Sequence, residues 1–406
     1  MRILMKGIRV LAFFLMSCAV LAEAPAGFSA QNSGFWHTEE KLAVDQKEFG
    51  DTLATDTEQE AIKRLKSMNQ TLLQVHRKIN ALWPVAEVSG KSSWVEYSKN
   101  LQVKRVVDYA ENEVRISTLK TMSHSNFRDF SVKELGVTLS TTLRQALAKD
   151  LLFQSSAKLD NTQGLDKLVL AELFDSSDPG KREIARKADQ LMHGAHIRYR
   201  NQMASAIAIA PVVSSGEMVY IIPLPKTRLS DKAREYVPIV RRYSKEFAVP
   251  ADLIMAIMHT ESHFNPLARS RVPAFGLMQI VPRTAGRDAS NVIYNEMRLL
   301  SPHFLYNPEN NVRVGSAYLN LVHYRYLRQI KDLKSRLYCT IASYNTGSAN
   351  VALAFIKIPQ MRKAVKVING LNSQQVLDRL VEKLPQRETR EYVQKVLKRR
   401  KLYQRV

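Results

Sequence analysis

The strand signals of this chain stop at Pro225, and that boundary divides what the chain can fold into. Short runs of β-branched and aromatic residues, the mark of strands, occur only before it. After Asp231 apolar residues recur every three or four positions to the C-terminus, which predicts helices alone. An α+β protein is therefore expected, with a mixed helix and antiparallel-sheet domain followed by an all-α domain. At 406 residues the chain is too long for one compact core, in keeping with two domains or three.

Within the first part, Trp94–Tyr97, Val103–Tyr109 and Val114–Leu119 predict an antiparallel meander, with turns at Asn100 and at Glu111-Asn112. Two or three helical patterns follow between Val132 and Met203. A further strand over Met218–Leu224, ended by Pro225, is placed to rejoin the early sheet. Nothing in residues 91–225 gathers titratable groups in a catalytic pattern. Lys226–Asp231 reads as a polar connector into the helical part, residues 226–406. Upstream, Ile62, Leu65, Met68, Leu72, Val75, Ile79 and Leu82 predict an amphipathic helix over Thr57–Trp83, closed by Pro84 and lying on its own domain. It belongs to a leader, residues 23–90, that is polar and irregular over 31–55.

Residues 1–22 read as an export signal. Arg2, Lys6 and Arg9 precede the apolar run Val10–Leu21, which is too short to span a bilayer comfortably. Two exits compete. Ala22-Glu23-Ala24 offers ordinary cleavage, whereas Leu15-Met16-Ser17-Cys18 is similar to a lipobox, in which Cys18 would be lipidated. Either way Cys339 has no intrachain partner, so no disulfide is expected, and Cys339 reads as a buried core residue.

The chain carries 60 Lys and Arg against 38 Asp and Glu, a net +22 that calls for an anionic partner. The export signal and the lack of an aromatic-basic RNA motif disfavour nucleic acid, leaving an acidic polymer or an anionic membrane surface. Lys398, Arg399, Arg400, Lys401 and Arg405 crowd the last residues and read first as a solvated helix end.

Pro250 opens a helix at a favoured first-turn position. Along it Ile254, Ile257, Met258 and Glu261 share one face, and Pro266 ends it soon afterwards. A carboxyl at the end of an apolar face, near a helix C-terminus, is held toward its neutral form. A neutral carboxylic acid is what protonation of a leaving glycosidic oxygen requires. On spacing alone, a Glu reaching into water at the rim of that face is the competing reading.

Glu261-Ser262, Asn265-Pro266, Ser270, Gly276-Leu277-Met278-Gln279, Tyr344-Asn345 with Gly347, and the late Glu388-Thr389-Arg390 with Tyr392-Val393 resemble the catalytic domain of the soluble-lytic-transglycosylase family over about 235–395. These enzymes cleave peptidoglycan, and their domain is similar to goose-type lysozyme. The meander from Trp94 resembles the N-terminal domain of the membrane-bound lytic murein transglycosylase C subfamily. The resemblance implies that Glu261 is the sole acid/base. It implies that Ser270, Gly276, Leu277, Met278 and Gln279 line the saccharide cleft, and that Tyr344 and Asn345 hold the Glu and the substrate. It implies peptidoglycan glycan strands as partner, no cofactor and no metal. It also implies a periplasmic location, with an outer-membrane lipid anchor if Cys18 is modified. Pro273, Ser343 and Ala349 depart from the family pattern and bear on cleft shape.

Ordinary glycosidases use two carboxylates, and the motif region offers one. Asp252 sits at the wrong end of its helix, and Asp288 and Glu309 lie in polar, turn-like stretches. One acid suits a lytic transglycosylase, in which the sugar's own C6 hydroxyl closes a 1,6-anhydro ring. A goose-lysozyme-like hydrolase and a non-catalytic peptidoglycan-binding protein are the alternatives. A zinc hydrolase is disfavoured: His259 and His263 stand at i and i+4, but Glu261 is one position later than zincin chemistry needs, roughly 100° around the helix. Both His read as surface residues.

Overall fold

A computed structural model describes residue 71 and residues 74–150, 164–200, 217–270 and 273–406. The signal run, Cys18, the leader over 31–55 and most of Thr57–Trp83 lie outside the described residues. Of the amphipathic helix, residues 74–80 are helical. Ile79 is buried, but Leu82 is exposed, and Trp83 is buried in its place. Trp83 packs edge-on against Tyr97 and donates its indole N–H to the Leu101 carbonyl at 2.8 Å.

Strands β1 (Ser93–Tyr97), β2 (Val103–Asp108) and β3 (Glu113–Thr118) form the expected antiparallel meander. Its turns use left-handed Leu101 and Asn112, φ 57° at each. Helices α1 (His124–Leu139), α2 (Leu143–Lys149) and α3 (Lys181–Met192) follow. Helix α1 begins earlier than its apolar pattern suggested, because Ser123 caps it through Asn126 N–H. Then comes β4 (His196–Arg200), inside a stretch read as helical. The late strand β5 (Glu217–Pro223) does rejoin the sheet, between β3 and β4, giving the order β1-β2-β3-β5-β4. The basic β4 thus forms an edge, where charged side chains discourage pairing with other chains.

From Arg228 on, the named elements are helical. They are α4 (Arg228–Phe247), α5 (Ala251–Ser262), α6 (Arg287–Tyr294), α7 (Pro302–Tyr306), α8 (Pro308–Asn320), α9 (Leu333–Thr346), α10 (Ser348–Ile356), α11 (Met361–Ile368), α12 (Ser373–Lys383) and α13 (Arg387–Arg400). Pairing does not vanish entirely: Phe275 bridges both Arg269 and Ile280. No described helix is long and apolar enough to cross a membrane.

The supposed connector Lys226–Asp231 already contains the start of α4. Arg228 and Lys232 are buried there, Arg228 on Glu172 (3.1 Å) and Asn112 (2.5 Å), and Lys232 on Glu172 (3.2 Å) and Glu235 (3.0 Å). Buried charges need such partners, because desolvation alone would cost several kcal/mol per ion. One contiguous apolar core runs from the sheet through these helices.

Candidate active site

Helix α5 is the axis of the site. Its own residues Leu253 through Met258 are all buried, so its middle is buried on every side rather than on one face as its spacing suggested. Pro250 caps it one residue ahead of the first turn, and left-handed His263 (φ 51°) ends it. Glu261 therefore sits in the last turn, only 5% exposed.

Burial is the largest influence on its carboxyl and raises the pKa above the usual 4.5. The ammonium of Lys91, 4.0 Å from Oε2, works against that rise. So does the Tyr392 hydroxyl, which leans on the carboxylate without closing a well-formed hydrogen bond. Glu388 pushes the pKa up again. In return, the carboxylate adds to the effect of burial in raising the Tyr344 and Tyr392 phenols.

The Gly276-Leu277-Met278-Gln279 turn is clamped beside the end of α5. Ser262 Oγ donates to the Leu277 carbonyl at 2.8 Å, and Tyr344 OH donates to the Met278 carbonyl at 2.8 Å. The Phe275–Ile280 bridge closes its base, with N–H···O bonds of 3.0 and 3.1 Å. A side chain at Gly276 (φ +74°) would fall 2.3 Å from Asn311 Nδ2 and 2.4 Å from the Leu305 carbonyl, so the protein itself enforces glycine here. Leu277 and Met278 are fully buried. Met278 lies so close to α8 that a Cβ on Gly315 would meet its sulfur at 2.3 Å. Gln279, left-handed at φ 49°, donates Nε2 to the Gly276 carbonyl at 3.1 Å, while its buried Oε1 has no partner. Ser270 is half-buried in the loop before this turn, where its Oγ accepts Ala274 N–H at 3.3 Å. Asn345 accepts Thr389 Oγ1 at 2.8 Å, joining α9 to α13, and Gly347 (φ +81°) caps α9.

Three contributors were not foreseen. Asn311 on α8 is fully buried and makes three bonds at the turn: Nδ2 donates to Phe275 O (2.8 Å) and Leu305 O (2.7 Å), and Oδ1 accepts Met278 N–H (2.8 Å). Lys91 comes from the region read as free of catalytic groups. Arg399, read as part of a solvated end, donates to the His259 carbonyl (2.8 Å) and meets His263 Nε2 (3.0 Å). Its neighbour Arg400 pairs with Asp252 at 2.6 Å.

The two His are not surface residues. His259 is buried, with Nδ1 on Tyr403 OH at 2.9 Å and its ring stacked on Phe264. Burial, helped by Arg399, lowers its pKa to about 3 and that of His263 to about 4. The other carboxylates are engaged elsewhere, and in helical first turns rather than loops: Asp288 accepts Tyr326 OH (2.9 Å), and Glu309 pairs with Arg242 and accepts Tyr243 OH (3.1 Å). Cys339 is buried in α9, its thiol pushed up to about 12 by burial.

Residues 238–363 match the family model described as the transglycosylase SLT domain. The membrane-bound lytic murein transglycosylase C of Yersinia pestis (strain Pestoides F) is 30% identical over 338 residues, covering 82% of this chain and 88% of that protein. Its counterpart in Yersinia pseudotuberculosis (serotype O:1b, strain IP 31758) matches with the same figures. The chain belongs to the lytic murein transglycosylase family. The match is too long to be confined to the helical part of this transglycosylase and reaches into the sheet-bearing part. Among solved structures, an inactive mutant of the lytic transglycosylase Slt from Pseudomonas aeruginosa is 28% identical, with TM-score 0.32, over 41% of this transglycosylase and 23% of that longer chain.

Proposed function

We propose that this lytic transglycosylase cleaves the β-1,4 bond between N-acetylmuramic acid and N-acetylglucosamine in peptidoglycan, leaving 1,6-anhydro-N-acetylmuramic acid, with Glu261 as acid and then base. The observation that carries this reading is the burial of Glu261 at the end of an apolar helix, which favours its neutral form. Glu261 donates its proton to the leaving oxygen, and the muramic N-acetyl carbonyl steadies the positive C1 as the bond breaks. The Glu261 carboxylate then takes the C6-hydroxyl proton, and O6 closes onto C1. The carboxyl ends protonated as it began, and no water is consumed. An intramolecular nucleophile supplies the proximity advantage otherwise given by a second protein group.

Around this centre, the unpartnered Gln279 Oε1 offers an acceptor to a sugar N–H or hydroxyl, and Ser270 and Asn345 are of a type to bond N-acetyl groups without titrating. Tyr344 fixes the Gly276–Gln279 turn through the Met278 carbonyl. Leu277 and Met278 serve the cleft through their backbone, their side chains being core.

Glu388 gives the hydrolase reading a concrete second carboxylate, since Lys91 lies 3.3 Å from it and 4.0 Å from Glu261. The side chain of Glu388 is 75% exposed and ion-paired, which suits a spectator more than a nucleophile. Product mass separates the two: transglycosylation of purified sacculi yields anhydro-muropeptides, and hydrolysis yields products heavier by one water. The export signal and the membrane-bound relatives support a periplasmic site of action. The net positive charge suits a wall rich in stem-peptide carboxylates, with anionic lipid nearby.

A further inference from the structure

The segment just ahead of β1 is stitched to the loop that follows α5. Arg269 N–H donates to the Gly90 carbonyl (3.2 Å) and Arg269 Nε to the Ser89 carbonyl (3.2 Å), while Asn265 Nδ2 donates to the Lys91 carbonyl (3.3 Å). Arg269 is itself fixed by two 3.0 Å bonds to Asp150, which caps the end of α2. The backbone of Lys91 is thereby held to the catalytic loop, although 174 residues separate it from Asn265. Its side chain, 41% exposed, reaches between Glu261 (4.0 Å) and Glu388 (3.3 Å).

We propose that Lys91 is a positioning residue for the reaction, its ammonium bridging Glu261 and Glu388 and so making the sheet-bearing part of the chain a component of the catalytic centre. The proposal rests on Glu261 being the acid/base. The two distances differ in kind. At 3.3 Å Lys91 hydrogen-bonds Glu388. At 4.0 Å it is too far for a hydrogen bond to Glu261 but close enough for its charge to act on that buried carboxyl. A tight ion pair would lock Glu261 as a carboxylate and remove the proton that the first step needs. A cation one step back leaves that proton in place and still welcomes the charge that appears once it has been given up. The groups that act on Glu261 are Lys91 and Tyr392, which favour the ion, and Glu388, which opposes it; Tyr344 feels its charge from α9.

The sign of the effect is testable. Cleavage requires protonated Glu261, so its ionisation sets the basic limb of the pH–rate profile. Removing the Lys91 cation disfavours that ionisation and moves the limb to higher pH; removing the Glu388 charge moves it to lower pH. Because Lys91 meets the loop through its backbone, Lys91→Met keeps the stitching and the apolar stem.

The experiment is the pH dependence of initial anhydro-muropeptide release from purified peptidoglycan by the full-length wild type, Lys91→Met, Lys91→Arg, Glu388→Gln and Glu261→Gln. We expect a basic limb displaced upward in Lys91→Met, restored in Lys91→Arg and displaced downward in Glu388→Gln. A purely structural Lys91 would lower the rate equally at every pH, and an unshifted limb in Lys91→Met overturns the proposal. If Glu261→Gln is inactive while that limb stays put, the role of Lys91 alone fails. Wild-type cleavage by Glu261→Gln removes both readings.

Discussion

Ser262 Oγ lies 2.8 Å from the Leu277 carbonyl and 3.0 Å from the Met258 carbonyl, so the residue next to Glu261 ties the end of α5 to the Gly-Leu-Met-Gln turn. That single hydroxyl couples the proposed acid to a wall of the proposed cleft. Ser262→Ala leaves the buried Leu277 carbonyl short of a donor, at a cost of about 1–3 kcal/mol. Thermal unfolding should register that cost, and cleavage should fall further than folded protein content does, because the turn is freed to drift.

Asn311 holds the same turn from the other side with three buried bonds. Asn311→Ala removes the bonds to the Met278 N–H and the Leu305 carbonyl, leaves the Phe275 carbonyl only the Ile280 N–H, and opens a cavity, and should cost about 3 kcal/mol or more in a denaturant titration. Gly276→Ala, strained at φ +74° and blocked by Asn311 and Leu305, should be destabilised by a similar amount, about 2–4 kcal/mol.

Keeping Glu261 in an apolar setting burdens stability in a pH-dependent way. Its folded pKa is raised above 4.5, so the native state holds the proton more tightly than the unfolded chain does. The favourable contribution is complete below pH 4.5 and is lost as pH rises through the folded pKa. Glu261→Gln, which cannot ionise, should therefore unfold at a higher temperature than wild type at pH 7–8, and the gap should close toward pH 4. A gap that is constant with pH would contradict the burial argument.

The histidines behind α5 act in the opposite sense. Folded values of about 3 for His259 and about 4 for His263, against 6.5, mean that the unfolded chain binds protons that the native state refuses. Their contribution is present above pH 6.5 and is lost as pH falls toward 4 and 3. His263→Asn should flatten the acid side of a melting-temperature profile between pH 6.5 and pH 4. An unchanged acid slope would show that Arg399 and burial do not act on this ring as described.

Periodic signals were readable because burial is periodic. The meander, the return of the Met218–Leu224 strand to it, and the helical second half all follow from which positions face apolar neighbours. The family motifs likewise brought Glu261, the turn and the Tyr344-Asn345 pair to one place. What stayed hidden has no period. Strand β4 carries His196, Arg198 and Arg200, a composition that suits an exposed edge but resembles a helix surface. Arg228 looked like a linker charge because its partners, Glu172 and Asn112, are far away in sequence. Helix α5 is buried on every side over Leu253–Met258, so a one-faced reading caught only part of its burial. Lys91, Asn311 and Arg399 act through polar contacts across the fold, which no local pattern announces.

The most direct test of the account is cleavage by Glu261→Gln on purified sacculi, measured beside its binding to the same sacculi. Loss of the general acid should reduce turnover at least about 10²- to 10⁴-fold while binding stays close to wild type. Release of anhydro-muropeptides at the wild-type rate by a folded Glu261→Gln protein would contradict it.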